Sequence, residues 1–189
     1  MRNLPKRGAM HQPAPDLSTM SGPRVSLRPP RHADCAAVFA YTSDPRASRF
    51  LGWAPHTDVE ETAAFLKTCE LGWLQGKRLR WLIEDETRMV VGMIEAQLSR
   101  MLAGIGYVIA PDAWGRGYAT EALQTVVDGL FEHTGIPAIW AVCDVENLAS
   151  ARVLDKSGFT RRNALPAYRK CPNIGGRERD FISYVRERD

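Results

Sequence analysis

Residues 117–133, GYATEALQTVVDGLFEH, place Ala119, Ala122, Leu123, Val126, Val127, Leu130 and Phe131 at helical spacing along one face. So wide an apolar stripe must be covered, and a sheet face is the natural cover. The chain supplies one just upstream. LRWLIE (79–84), MVVGMIEAQL (89–98) and AGIGYVIA (103–110) are strand-like runs in series, joined by short turns, which predicts an antiparallel meander. Gly135 and Pro137 end the helix, and AIWAVC (138–143) reads as a buried strand.

The flanks extend this pattern. RVSLRP (24–29) alternates as a strand, and Asp34 is placed to cap a short helix through about Ser43, which SDP (43–45) breaks. HTDVEETAAFLKTCELGWLQG (56–76) predicts a helix capped by Thr57 or Asp58, with Ala63, Leu66, Cys69 or Leu71, and Trp73 or Leu74 facing inward. NLASARVLDKSG (147–158) is a short helix capped by Asn147, and FTRRN (159–163) and RDFISYVR (179–186) are closing strands. Residues 1–23 hold four prolines and no apolar periodicity, so they read as a flexible tail, with Met20 an alternative start to Met1. Residues 24–189 read as one domain.

Charge and cysteine usage narrow the function classes. Of the net +3, Arg2, Lys6 and Arg7 against Asp16 place +2 in residues 1–23, leaving about +1 for the rest. That balance gives no general footprint for nucleic acid. Cys35, Cys69, Cys143 and Cys171 form no C-x-x-C pair, which argues against a metal centre. No secretory apolar region and no run of about 18 apolar residues is present, so the expectation is four free thiols in a reducing cytoplasm, away from membranes.

The glycine pair in AWGRGYATEA (113–122), just ahead of the striped helix, predicts a turn whose bare N–H groups meet an anion. A P-loop would need Gly-Lys-Ser/Thr, but Gly117 is followed by Tyr118. A dinucleotide fingerprint would need Gly or Ala where Thr120 stands, in the first strand–helix unit. The remaining loop is the pyrophosphate cradle of acetyl-CoA enzymes. Trp114-Gly115-Arg116-Gly117-Tyr118-Ala119 resembles motif A of the GNAT acyltransferases, with Trp in place of the usual Arg or Gln. NLASARVLDKSGF (147–159) resembles a second motif of the branch containing the ribosomal-protein N-terminal alanine acetyltransferases, and LRPPRHAD (27–34) fits as well. The resemblance spans roughly residues 24–187.

It implies an α+β fold of three α/β/α layers, with a mixed, mostly antiparallel sheet of about six to seven strands and about four helices. It implies acetyl-CoA as co-substrate and no metal. Gly115 to Thr120 would cradle the pyrophosphate, with Arg116 at the rim or simply solvated. Strand 103–110 would splay from strand 138–143, and the backbone of Val108, Ile109 and Ala110 would line the pantetheine arm. The Ile109 N–H would polarise the thioester carbonyl. Asn147 would bind the arm or serve as a plain cap. The family's usual Tyr acid falls at Leu154. Ser150 is therefore the expected donor to the thiolate, or else a first-turn hydroxyl. Glu95 is the candidate base through water, or an outward strand carboxylate.

Two segments remain for the acceptor. RFLGWAPHTD (49–58) carries Trp53 and His56, and AYRKCPNIGGRERD (167–180) carries Asn173 and is too long for a simple hairpin turn. Residues 161–189 hold eight basic and four acidic residues, suited to an acidic peptide or to the CoA phosphates. Cys143 reads as a buried strand residue. The expected acceptor is a protein N-terminal α-amine. The alternatives are a small amine (antibiotic, polyamine or amino acid) or a non-catalytic acyl-CoA-binding module. A homodimer is compatible with all three.

Overall fold

The computed structural model describes residues 17–188. Eight strands form one sheet among them: β1 (Met20–Ser21), β2 (Ser26–Arg28), β3 (Arg78–Glu84), β4 (Val90–Leu98), β5 (Leu102–Ile109), β6 (Ala138–Asp144), β7 (Thr160–Lys170) and β8 (Glu178–Glu187). Their spatial order is β1-β2-β3-β4-β5-β6-β8-β7. Every neighbouring pair is antiparallel except β5 and β6, which run parallel. The helices are α1 (Cys35–Thr42), α2 (Pro45–Ser48), α3 (Val59–Gln75), α4 (Tyr118–His133) and α5 (Leu148–Lys156).

The α4 stripe lies where its spacing requires. Ala122, Leu123, Val126, Val127 and Leu130 are fully buried against Leu79, Trp81, Ile94 and Ile139 of the sheet. The opposite face is covered by α1 and α3, whose Val38, Leu66 and Cys69 pack on Leu82 and Met93. Of the paired options on α3, Cys69 and Trp73 turn inward, while Leu71 and Leu74 stay exposed. The Trp73 indole is fixed by its N–H, which donates to the Arg80 carbonyl at 2.8 Å. Asp58 caps α3 through Glu60 N–H, and Gly76 ends it with a left-handed φ of +61°.

Four expectations need correction. First, the flexible tail was drawn too long. Leu17 is buried, its carbonyl accepts from the Trp81 indole at 2.7 Å, and Met20–Ser21 pairs with β2. A buried indole N–H needs an acceptor, and this segment provides it. Residues 1–16 lie outside the described residues. Second, the strand and helix counts rise to eight and five, because of β1 and because Asp44 and Pro45 start the one-turn α2. Third, Asp34 precedes α1 but makes no side-chain cap. Its carboxylate instead accepts from Arg31 N–H and both terminal nitrogens of Arg28, at 2.7–2.8 Å. Fourth, β7 runs to Lys170 and β8 starts at Glu178, so most of the expected 167–180 loop is hairpin. Pro166 interrupts the ladder without ending it, because the Asp180 carboxylate accepts from Ala167 N–H and Ser183 Oγ from Asn163 N–H.

Candidate active site

The site begins as a gap in the sheet. β5 pairs with β6 only at Leu102↔Ala138, Ala103↔Ile139 and Gly104↔Trp140. Beyond that point β5 stays on β4 as far as Gly92↔Ile109, and β6 stays on β8 as far as Asp144↔Phe181. Ala110 N–H donates to Val91 O at 2.9 Å, so strand alternation turns the backbone N–H groups of Ile109 and Tyr107 away from β4, toward the gap. Val108 and Ala110 instead pack on the α1–α3 side.

At the end of β5 a short turn, Pro111–Ala113, leads into the glycine loop. The Trp114 indole N–H reaches back to Ile109 O at 2.9 Å and closes this turn, a role open to Trp at a position where the family usually has Arg or Gln. Gly115 and Gly117 take left-handed φ values of +76° and +86°. The first intrahelical bond of α4 is Glu121 N–H to Gly117 O, so Tyr118, Ala119 and Thr120 keep unpaired N–H groups. A Cβ built on Gly115 would meet nothing within 4 Å. Free N–H groups, open approach and the positive end of a 16-residue helix make a cradle that fits a pyrophosphate. Tyr118 contributes backbone only, because its side chain is buried and its hydroxyl donates to Glu86 at 3.1 Å.

Arg24 is a residue that sequence reasoning missed. Its guanidinium donates to Arg116 O at 3.0 Å, pairs with Glu121 at 3.0 Å and lies 5.4 Å from the Tyr118 ring centroid. Glu121 also accepts from the N–H groups of Arg24 and Val25. A cation from the approach to β2 is thereby fixed beside the loop. Nothing in the sequence links positions 92 residues apart.

Across the gap, Asn147 caps α5, its Oδ1 accepting from Ser150 N–H at 3.1 Å. Ser150 Oγ lies 2.9 Å from the hydroxyl of Tyr107, which also donates to Ser150 O at 3.2 Å. Burial pushes the Tyr107 phenol well above its usual pKa, outweighing the Ser150 hydrogen bond. Tyr107 is the second missed residue. Its signal was the alternation of β5, which sets it on the Ile105 and Ile109 face. Leu154 is buried. The Cys143 thiol is buried, donates to Asn147 O at 3.3 Å and has its pKa raised by burial, which leaves it a poor nucleophile.

Glu95 does not stand free. Arg80 Nε donates to its carboxylate at 2.7 Å, with Arg78 at 3.8 Å. The two segments expected at the acceptor meet. Asn173 Nδ2 donates to Ser48 O at 2.7 Å and to Trp53 O at 2.8 Å, and Cys171 Sγ lies 3.7 Å from Phe50 O. The β7–β8 hairpin is thus tied to the loop between α2 and α3. Asn173 is spent on this tie, while the Trp53 and His56 rings stand 5.7 Å apart.

Residues 24–160 match the family model described as Acetyltransferase (GNAT) domain. An uncharacterized N-acetyltransferase, YoaA of Bacillus subtilis (strain 168), is 33% identical over 77% of this chain and 84% of its own length. The crystal structure of a GNAT-family acetyltransferase from Bacillus anthracis superimposes with a TM-score of 0.77 at 25% identity, covering 89% of this chain and 98% of that one. RimL, a ribosomal L7/L12 alpha-N-protein acetyltransferase in complex with coenzyme A, shares the fold with a TM-score of 0.78 at 21% identity, over 87% and 94% of the two chains. The glycine cradle, the parted strands and these likenesses agree: the chain belongs to the GNAT family and is an acetyl-CoA-dependent N-acetyltransferase.

Proposed function

We propose that the acceptor is a protein N-terminal α-amine, acetylated by direct attack within a ternary complex. The observation that carries this is the ion-paired state of Glu95. A site without a free carboxylate base favours an amine that arrives neutral. An α-amine has a pKa near ~8 and a lysine near ~10.4, so at neutral pH their neutral fractions differ by about two hundred-fold. The RimL likeness supports the same choice, since that protein acts on an N-terminus.

In this reading the N–H groups of Gly115 to Thr120, with Arg24 and Arg116 at the rim, hold the pyrophosphate. Val108, Ile109 and Ala110 line the pantetheine arm, and Asn147 stands at its far side. The Ile109 N–H polarises the thioester carbonyl as the amine attacks. The C–S bond breaks with its electron pair on sulfur, and the Ser150 hydroxyl turns from Tyr107 to donate to the thiolate, with the Tyr107 hydroxyl free to swing from Ser150 O to Ser150 Oγ behind it. Trp53 and His56 border the acceptor entrance. The four cysteines carry free thiols, which supports a reducing, cytoplasmic setting.

The test compares a short peptide having a free N-terminus with its N-blocked, lysine-bearing counterpart. The expected result is a much larger kcat/KM for the free N-terminus. Faster turnover of the lysine peptide overturns the proposal. Turnover of neither, with rapid use of a small amine, assigns the enzyme to small-molecule acetylation instead.

A further inference from the structure

With Glu95 committed to Arg80, the proton released by the attacking amine has no evident destination. The His56 imidazole stands on the same side of the sheet. The His56 backbone N–H donates to Thr42 O at 3.0 Å, and its Nδ1 lies 2.7 Å from Thr62 Oγ1. Its ring meets Phe65 edge-on at 6.2 Å and Trp53 at 5.7 Å. Phe65 is on the α1–α3 side of the sheet. It packs on the small core under α1 and α3, as does Val108, whose strand has already left β6. Arg80, which holds Glu95, lies 5.1 Å from the Phe65 ring centroid.

The hydroxyls behind the imidazole decide which nitrogen is free. Thr42 and Thr62 are both buried. Thr42 Oγ1 gives its one proton to Val38 O at 3.0 Å. Toward Thr62, 3.4 Å away, it can therefore only accept. When Thr62 donates to Thr42, it accepts in turn from His56 Nδ1–H, and Nε2 keeps its lone pair. We infer that this Thr42–Thr62 relay holds His56 in the Nδ1–H form and that Nε2 takes the proton from the attacking amine. The inference rests on the direct-attack reading above.

Burial lowers the His56 pKa, and the nearby Glu61 carboxylate raises it by a smaller amount, so the ring is neutral at neutral pH. Arg80 and Glu95 lie beyond Phe65, and Tyr41 is buried in the same small core. The step balances. The N–C bond forms as the C–S bond breaks, and one amine proton passes to Nε2. The imidazolium releases that proton to water, and the thiolate, held by the Ser150 hydroxyl, takes its one proton back from water, so that serine and histidine both end as they began.

Three measurements test this on the full chain. A long-range ¹H–¹⁵N spectrum of the histidine-labelled protein should report the Nδ1–H tautomer for His56, and the Nε2–H tautomer overturns the inference. Rates are taken with whichever amine the wild type acetylates, the α-amine peptide or the small amine. Failure of the acceptor assignment is then seen separately from failure of the histidine. His56→Asn should lower kcat about a hundred-fold with CoA affinity unchanged, and should abolish the acid limb of kcat below the usual histidine range. Wild-type kcat, or an acid limb that persists, overturns it. Should His56→Asn not fold, the threonine pair decides. Thr62→Val should lower kcat about ten-fold and Thr62→Ser should restore it, whereas equal rates in both overturn the relay.

Discussion

Gly117 carries the most demanding backbone of the site. At φ +86° its missing Cβ would stand 3.2 Å from the Arg24 guanidinium. Gly117→Ala should cost about 1–2 kcal/mol of stability through the left-handed backbone alone. It should also weaken CoA binding at least about ten-fold in calorimetric titration, because the methyl group displaces Arg24 from the loop. Unchanged affinity in the folded variant would remove the loop from the binding site. At the thioester end, Ser150→Ala should lower kcat about ten-fold or more without moving CoA affinity. Tyr107→Phe should reproduce part of that loss. Wild-type kcat in Ser150→Ala would return Ser150 to a helix-turn hydroxyl. Single residues were legible where chemistry follows a local pattern: Gly115, Gly117, Asn147 and Ser150 each stand in a short motif. Arg24 was illegible because its role depends on a strand approach far from the loop in sequence. The ion pair of Glu95 was illegible because its partner, Arg80, is set by β3–β4 register.

Elements were legible where periodicity is long. α3, α4 and the β3–β5 meander follow their apolar spacing closely, whereas β1, with two residues, has none to show. β7 was read too short because Pro166 looks like a terminator, and only side-chain acceptors from β8 carry the ladder past it. Two junctions between elements rest on carboxylates. Burial would raise the Asp34 pKa, but hydrogen bonds from Arg28 and Arg31 N–H, with the charges of both arginines, bring it below its usual value. At the end of β6, burial of Asp144 is likewise outweighed by Arg179 and by Glu146 N–H. Carboxyls with depressed folded-state pKa values contribute their full stability above about pH 3.9, the ordinary value. They lose it as pH falls through the lower folded values. The urea midpoint should therefore decline gently below about pH 6.5, where unfolding lets His56 take a proton that the fold withholds, and drop steeply below about pH 4. Asp34→Asn should flatten part of that drop, and an equally steep fall in the variant would count against this assignment.

At the scale of the whole molecule, the wall proposed for the acceptor is one piece made from two distant segments. Asn173 supplies two of the hydrogen bonds that tie the β7–β8 hairpin to the end of α2 and the loop after it, beside the bond from the Cys171 thiol to Phe50 O. Asn173→Ala should cost about 1–3 kcal/mol, the net worth of two half-buried hydrogen bonds. It should raise KM for the amine several-fold and leave CoA affinity alone, as read from initial rates with each substrate varied. A rise in the acetyl-CoA KM instead would move the hairpin from the acceptor side to the cofactor side.

The sheet itself is held together across its parallel seam by three residue pairs, and past Gly104 the edge of β5 that faces β6 has no strand neighbour among the described residues. Backbone amides there are satisfied only when something of strand-like character lies along them. In the proposed binding mode a thioester arm seated in that place completes the scaffold as a missing strand would, and it does so only for the folded chain. At a hundred times its dissociation constant such a ligand adds about 2.7 kcal/mol to the unfolding free energy. Amide exchange at Tyr107 and Ile109 should slow on adding CoA, with Leu79 and Ile94 deeper in the sheet changing less. The persistence of this enzyme, its resistance to proteolysis and heat, is thereby coupled to the supply of the acyl donor it consumes.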